Sequence, residues 1–507
     1  MRPKGTDANQ PAQRGLRALD GRKMTVRAVL DTHLRLNLDD LGSGTAAALR
    51  ARYTHDNPEF FKKRAMGVWT GDIDPKIRSW RIEDGWLLLP RGVLSEVRKI
   101  LDGRKMEMRP IWDRTVKHEE VDLRLKKDLY PFQERAVDDL LLTTGGVLKG
   151  PCGGGKTVCM IGAIARLRQP VLIVVHTREL MRQWETRIAE FLGVTAGTIG
   201  GGKEENIRPV TVATQQTLWR HMGKSPPHWV DQFGLIVTDE CHHVPARTHN
   251  AVAEMFPARW RWGCSATIKR KDGKEYLLHE TFGPVAHEIT KEELVELDRL
   301  VSVRMEVVPT NYFDEEYAAS RDANEIPDWM GMVTRLVNDD DRNALILEKV
   351  REIASVRDSR ILMLTERVEA CFDWHQRLGK VGIRAGVMVG GAENKKMLEK
   401  TIDGLRAGKI KVGIGTKVAD EGLDVPNLTH VILTCPVHQH PKRLTQMVGR
   451  AARKHGSRKK EGVAVYFWDR KLWPRYSDDD GKRRRERKLK KFFNGLRTVC
   501  SDLEVVE

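Results

Sequence analysis

Gly150-Pro151-Cys152-Gly153-Gly154-Gly155-Lys156-Thr157 decides the reading of this chain. The spacing is that of a phosphate loop, Gly, four residues, then Gly-Lys-Thr. An apolar run, Gly146-Val147-Leu148, leads in, and a helix-like run, Val158 to Ile164, leads out. Glycines lacking Cβ let backbone N–H groups wrap a phosphate at the positive end of the following helix. Gly150, Gly153, Gly154 and Gly155 are the candidate cradle. Lys156 would reach the β- and γ-phosphates, and the Thr157 hydroxyl would hold Mg²⁺. This stretch implies a nucleoside-triphosphate site.

The second element is Asp239-Glu240-Cys241-His242, directly after the apolar run Leu235-Ile236-Val237. Paired carboxylates at the carboxyl end of a parallel strand lie at the crevice where such sheets bind ligands. Asp239 is the candidate Mg²⁺ ligand, and Glu240 the candidate base that orients and deprotonates water.

At 507 residues the chain is long enough for about three domains. Lys and Arg number 87 against 70 Asp and Glu, a net charge of +17. That surplus suits a polyanion, since neutralising phosphates releases condensed counterions. No apolar run approaches the ~20 residues of a membrane span. Met1 to Lys23 has no apolar core of a secretory signal. The seven cysteines are scattered without a Cys-x-x-Cys pair, which disfavours a disulfide framework or zinc site and fits a reducing cytoplasm.

The pattern divides the chain into a mobile basic tail (1–23), a small α+β domain (24–125), two α/β units (126–300 and 301–470) and a basic tail (471–507). In the first domain a strand is expected over Val26 to Leu36, a helix near Ala46 to Tyr53, strands between Ile77 and Leu89, and a helix from Val93 to Leu101. Lys62, Lys63, Arg64, Lys76, Arg78, Arg81 and Arg91 accompany Trp69, Trp80 and Trp86. Such a set can grip phosphates and stack on bases, or the tryptophans can be core. Beyond residue 126, strands alternate with helices, the sign of parallel sheets. Strands are expected at 146–149, 171–175, 209–213, 235–238 and 260–264. A second series is expected at 361–364, 385–389, 411–415, 430–434 and 463–467, with the link near 291–301. The run Lys482 to Lys491 reads as a solvated helix face that can touch nucleic acid.

Asp239-Glu240-Cys241-His242 behind a phosphate loop resembles the superfamily 2 helicases and translocases. Ser265-Ala266-Thr267 matches their motif III, and Gln446 to Arg453 their motif VI. Leu129 to Gln133 resembles the adenine-reading segment, Val175 to Leu180 motif Ia, and Thr416 to Pro426 motif V. The motifs appear in family order over residues 129–453. Arg270-Lys271-Asp272-Gly273 after motif III is similar to the XPB/UvsW-like branch, as are Asn57-Pro58, Gly67 to Gly71 and Leu88 to Gly92.

The resemblance implies two tandem RecA-like parallel-sheet domains that use ATP and Mg²⁺ to act on single-stranded, duplex or branched DNA in recombination, repair or replication, in the cytoplasm. It assigns Gln133 to the adenine, Gly422 and Asp424 to the neighbourhood of ribose and strand, and Gln446 to the γ-phosphate or the attacking water. Arg450 and Arg453 would be arginine fingers. His242, Ser265 and Thr267 would couple hydrolysis to domain movement. Thr177, Arg178, Gln215, Thr365 and Thr416 would contact phosphates, on the face away from the nucleotide cleft. The alternatives are an RNA helicase, a duplex translocase or motor subunit without strand separation, and an ATP-gated sensor. Cys152 departs from the usual loop, and a thiolate there would be favoured by the helix terminus.

Overall fold

The computed structural model describes residues 23–151, 153–202, 205–221, 227–243, 252, 254–268, 273–297, 299, 302–322, 328–391, 393–416, 428–436, 461–472, 490, 493–494, 500 and 502–505.

Val26, Ala28, Leu34 and Leu36 alternate with polar residues, so one face of an extended chain buries apolar side chains. The single strand expected there is a hairpin, β1 (Met24–Leu30) and β2 (His33–Asn37). The correction lies in the turn: the Asp31 backbone N–H donates to the His33 carbonyl, and the Asp31 carboxylate accepts from the His33 N–H. Aspartate closes such turns with its own side chain. Helix α1 (Leu38–Arg52) starts at Asn37, whose side-chain oxygen accepts from the Asp40 N–H. Then follow β3 (Thr54–Asp56), α2 (Pro58–Ala65), β4 (Lys76–Arg78), β5 (Arg81–Glu83), β6 (Trp86–Pro90), α3 (Leu94–Gly103) and β7 (Met106–Asp113). The sheet order is β5-β6-β2-β1-β7, and β3 and β4 form a separate ribbon.

Val171-Leu172-Ile173-Val174-Val175 is buried throughout, the signature of a strand covered on both faces. It belongs to the first α/β unit: α4 (Pro131–Leu141), β8 (Gly145–Lys149), α5 (Lys156–Leu167), β9 (Val171–Val175), α6 (Arg178–Leu192), β10 (Gly197–Ile199), β11 (Val210–Thr214), α7 (Gln215–His221), β12 (Leu235–Asp239), β13 (Trp260–Ser265), α8 (Tyr276–Phe282), β14 (Val285–Glu288) and α9 (Lys291–Glu296). The second unit has β15 (Ser302–Thr310), α10 (Glu315–Asp322), α11 (Trp329–Val337), α12 (Asp340–Ser355), β16 (Ile361–Leu364), α13 (Val368–Lys380), β17 (Ala385–Met388), α14 (Lys395–Arg406), β18 (Val412–Gly415), β19 (His430–Leu433), β20 (Glu461–Asp469) and β21 (Asp502–Val505).

Both sheets are parallel throughout, in orders β10-β11-β9-β12-β13-β8-β14 and β17-β18-β16-β19-β20-β15-β21. Taken from the first strand of each, the two permutations are identical, so the units are topological copies. Strands β10, β14, β15 and β21 go beyond the expected series. β21 lies inside the segment read as a basic tail, where it pairs with β15 at the sheet edge. In the second unit a buried, two-pronged Arg342–Asp469 pair at 2.7 and 3.1 Å clamps α12 to β20. Thr310 of β15 donates to the same carboxylate at 2.6 Å.

The N-terminal domain is locked onto the first unit. The buried Arg91 guanidinium donates to the carbonyls of Asp31, Ala258 and Arg259. A Cβ on Gly92 would lie 2.5 Å from the Gly283 nitrogen and the His279 carbonyl, so only glycine permits this approach. His55 stacks on Tyr276 with ring centroids 3.6 Å apart and sits 2.7 Å from the Glu280 carboxylate. Arg91 therefore joins domains rather than belonging to the basic-aromatic surface. Trp80 packs against the small domain's core, and its indole N–H donates to Thr54. Arg91→Ala strands buried carbonyls and is expected to destabilise the chain by about 1–3 kcal/mol. An unchanged denaturation midpoint would refute this account of the joint.

Candidate functional site at the carboxyl rim of the first sheet

The phosphate loop leaves β8 and enters α5 as the sequence predicts. Gly153 and Gly155 have φ of +79° and +77°, a backbone shape that side chains resist. A Cβ on Gly155 would come within 2.7 Å of the Gln133 amide nitrogen, so that glycine also makes room for the adenine-reading segment. Gln133 is buried, and its side-chain oxygen accepts from the Tyr130 N–H. Lys156 is buried and donates to the Gly150 and Pro151 carbonyls at 3.0 and 3.2 Å. Thr157 is the second residue of α5.

Asp239 ends β12, two strands from β8 in the sheet order. Its carboxylate accepts from the Trp184 indole N–H at 2.8 Å and from the Cys264 thiol at 3.1 Å. Burial and then the Glu240 charge push the Asp239 carboxyl above its usual range, while Trp184, Cys264 and Lys156 pull it back. Glu240 turns through φ of +45°, uncommon for a residue with a side chain, and donates its N–H to Asp239 at 2.9 Å.

His242 Nδ1 lies 3.3 Å from the Glu240 carboxylate and 2.6 Å from the Ser265 hydroxyl. Ser265 has one hydroxyl proton, and it goes to the Thr267 carbonyl at 2.7 Å. His242 Nδ1 must then be the donor to Ser265 Oγ. The Ser265 carbonyl accepts from the Gly150 N–H at 3.1 Å. One chain of contacts thus runs from the phosphate loop through Ser265 to His242 by hydrogen bonds, and the His242 ring stands beside the Glu240 carboxylate at its end.

The expected phosphate-contacting residues require a correction. In a parallel sheet every carboxyl end lies on one rim, and Thr177, Gln215, Thr365 and Thr416 follow β9, β11, β16 and β18. They stand on the same rim as the phosphate loop, displaced along it, and not on an opposite face. The matching permutations make Thr177 the counterpart of Thr365, and Gln215 that of Thr416. Thr177 caps α6 by accepting from the Leu180 N–H, and Arg178 is exposed. The side chains of Gln215, Thr365 and Thr416 are buried. Gly422, Asp424, Gln446, Arg450 and Arg453 lie outside the described residues, as do Cys152 and all but Lys490 of the run 482–491.

Three participants went unread in the sequence. Trp184 and Cys264 hold Asp239. Arg299, from the link between the units, places its guanidinium 3.6 Å from the centre of the Tyr130 ring, beside Gln133. Trp184, an apolar residue between Gln183 and Glu185, carries a faint signal of burial; Arg299 carries none.

Family models match in two places: Type III restriction enzyme, res subunit, over residues 126–270, and Helicase conserved C-terminal domain over 345–455. The chain is 26% identical over 360 residues to the DNA 3'-5' translocase XPB2 of Sulfurisphaera tokodaii, covering 65% of this chain and 79% of that protein. To the DNA 3'-5' helicase XPB of Kineococcus radiotolerans it is 27% identical, covering 65% and 58%, so it spans under two thirds of that relative. To the ATP-dependent DNA helicase uvsW of Enterobacteria phage T4 it is 24% identical over 473 residues, covering 86% and 88%. Among solved structures, the DNA-bound Type ISP restriction-modification enzyme LlaBIII aligns with a TM-score of 0.51 at 16% identity, over 75% of this chain and 31% of that one, a likeness of fold. With the motifs in family order on two parallel-sheet units of equal topology, the chain is similar to the superfamily 2 helicases, and among them to those of the XPB/UvsW-like branch.

Proposed function

We propose that this chain is an ATP-dependent DNA translocase or helicase that remodels branched or duplex DNA in repair or recombination. The observation that carries the reading is the contact chain Gly150–Ser265–His242–Glu240, hydrogen-bonded as far as His242, which sets the phosphate loop in line with the carboxylate that would activate water. The residues fit the triphosphate: positive-φ glycines, a buried lysine and the first turn of α5 converge on one concave loop. They also fit Mg²⁺, with a buried carboxylate and a threonine hydroxyl as oxygen donors. When bound, Mg²⁺ neutralises charge between the β- and γ-phosphates.

Lys156 would exchange the carbonyls of Gly150 and Pro151 for phosphate oxygens. Glu240 would take the proton of the attacking water, with His242 holding its carboxylate in place. Gln133 and Tyr130 would receive the adenine. Arg450 and Arg453 would come from the second unit, so that the site would be complete only when both units meet the nucleotide. Hydrolysis removes that shared contact and lets the units part, a two-state hinge. At the DNA, Thr177, Gln215, Thr365 and Thr416 stand at or just before helix starts or at strand ends. With the Gln215, Thr365 and Thr416 side chains buried and the Thr365 N–H held by the Gly415 carbonyl, the first-turn N–H groups of the helices that leave this rim, with Arg178, would meet phosphates. Backbone contacts read no base sequence, as movement along DNA requires.

The first test is ATPase activity at fixed salt with no nucleic acid, single-stranded DNA, duplex, forked DNA and matched RNA. Stimulation by DNA, strongest with the fork, is expected; stimulation by RNA alone overturns the substrate. Glu240→Gln should keep ATP binding and lower turnover at least about 100-fold. Normal hydrolysis in that variant removes Glu240 from its role. Trp184→Phe keeps an aromatic ring but deprives Asp239 of one hydrogen bond. The Mg²⁺ concentration for half-maximal ATPase is expected to change by about fivefold. An unchanged Mg²⁺ dependence would show that Trp184 only fills space.

A further inference from the structure

Helix α2 contains no buried residue, a departure from the rule that a helix in a folded domain buries one stripe. With the loop that follows, it leaves the β3–β4 ribbon at Asn57 and returns at Pro75. The excursion is well tied: Asn57 accepts from the Glu59 N–H, and its amide groups donate to the Asp74 and Pro75 carbonyls. The Val68 N–H donates to the Lys63 carbonyl, and the Ile73 N–H to that of Thr70. Yet Phe61, Met66, Val68 and Trp69 face solvent, and Trp69 is 73% exposed. The indole is positioned rather than loose, because it lies over Gly71 where any Cβ would overlap it.

Contiguous exposed apolar groups of this kind mark a binding surface. The flanking charge identifies the occupant. Lys63 pairs with Glu59, Lys76 with Asp56 and Arg78 with Asp74, whereas Lys62 and Arg64 have no acidic partner among the described residues. Lysine is depleted from protein–protein interfaces, whereas a flat aromatic face beside unpaired cations suits a base next to its phosphates. The base of the excursion is fixed to the motor. His55 of the ribbon packs on Tyr276 and Glu280, and Pro58 lies 3.6 Å from where a Gly273 Cβ would be, eight residues after Ser265.

We propose that residues 57–75 are a wedge whose Trp69 indole stacks on the last base pair at the point where the strands of a branched duplex part, with Lys62 and Arg64 on the adjoining phosphates. This rests on the DNA-motor reading above and specifies the substrate as a junction. The motor would draw DNA along its rim while the wedge, anchored to the first unit, meets the duplex end.

The experiment uses the full-length chain with a forked duplex carrying 2-aminopurine at the first base pair, and a single-stranded control. Wild type is expected to change the 2-aminopurine fluorescence on binding, and Trp69→Ala to lose that change. The ratio of fork unwinding to single-strand-stimulated ATPase should fall about tenfold or more in Trp69→Ala. Trp69→Phe, which keeps a stacking face, should restore most of it. Equal ratios and equal fluorescence in wild type and Trp69→Ala, with ATPase still stimulated by DNA, would overturn the wedge alone. Absence of DNA stimulation in wild type would overturn the motor reading and the wedge with it. Loss of self-association in Trp69→Ala, with fork behaviour unchanged, would reassign the patch to a second copy of the chain.

Discussion

A parallel sheet has one rim at which all its strands deliver their carboxyl ends, and the rest of this molecule depends on that constraint. The phosphate loop follows β8, Asp239 ends β12, Ser265 ends β13, and Thr177 and Gln215 follow β9 and β11. Gly150 and Ser265 are 115 positions apart in the chain, yet strand pairing sets the ends of their strands side by side at about 4.8 Å per strand. The order β11-β9-β12-β13-β8 sorts the rim into two flanks, with the triphosphate loop on one and the candidate DNA posts on the other. β12 stands between them, so Asp239 at its end and Glu240 just after it lie between the two flanks.

The identical permutation of the second sheet turns one rim into two of equal layout. A duplicated rim can hold the same polymer at two places, which a single unit cannot do, and stepwise motion needs two grips that alternate. The segment between the units is well placed to sense which grip is set. Ile289 lies against Gly150, Leu294 against Gly154, and Arg299 over Tyr130. The same ten or so residues that line the nucleotide loop thus lead directly into β15. A change in loop occupancy would change what this segment packs on, so the hinge proposed above would begin there.

The strands at the middle of both sheets were legible because burial on two faces leaves runs such as Val171–Val175 and Ile361–Leu364 with no polar residue. The edge strands were not. Gly197–Ile199 is three residues long, and Asp502–Val505 alternates charge with apolar residues because an edge buries less. The hairpin at Asp31-Thr32 was hidden because alternation continues through it. In the site, residues whose chemistry is local were readable: loop glycines, the lysine and the acidic pair. Trp184, Cys264 and Arg299 act only through contacts made by folding, across 55, 25 and 169 positions from Asp239, Asp239 and Tyr130. No spacing encodes such contacts. The rim placement of Thr177 and its counterparts needed strand direction, which a motif does not give.

The joint at Arg91 and Gly92 bears on how force is used. A guanidinium spread over three carbonyls, two of them in the motor unit, resists sliding in any direction, since each displacement costs a buried hydrogen bond. The Gly92 approach to the chain at His279–Gly283 resists compression, because backbone already touches backbone. His55 against Tyr276 and Glu280 adds a contact from the β3–β4 ribbon to the same helix that Gly92 abuts, so two elements of the small domain seat on α8. On the proposed hinge, the N-terminal domain would move with the first unit, and whatever it touches would be held still relative to the phosphate loop while the second unit changed its grip.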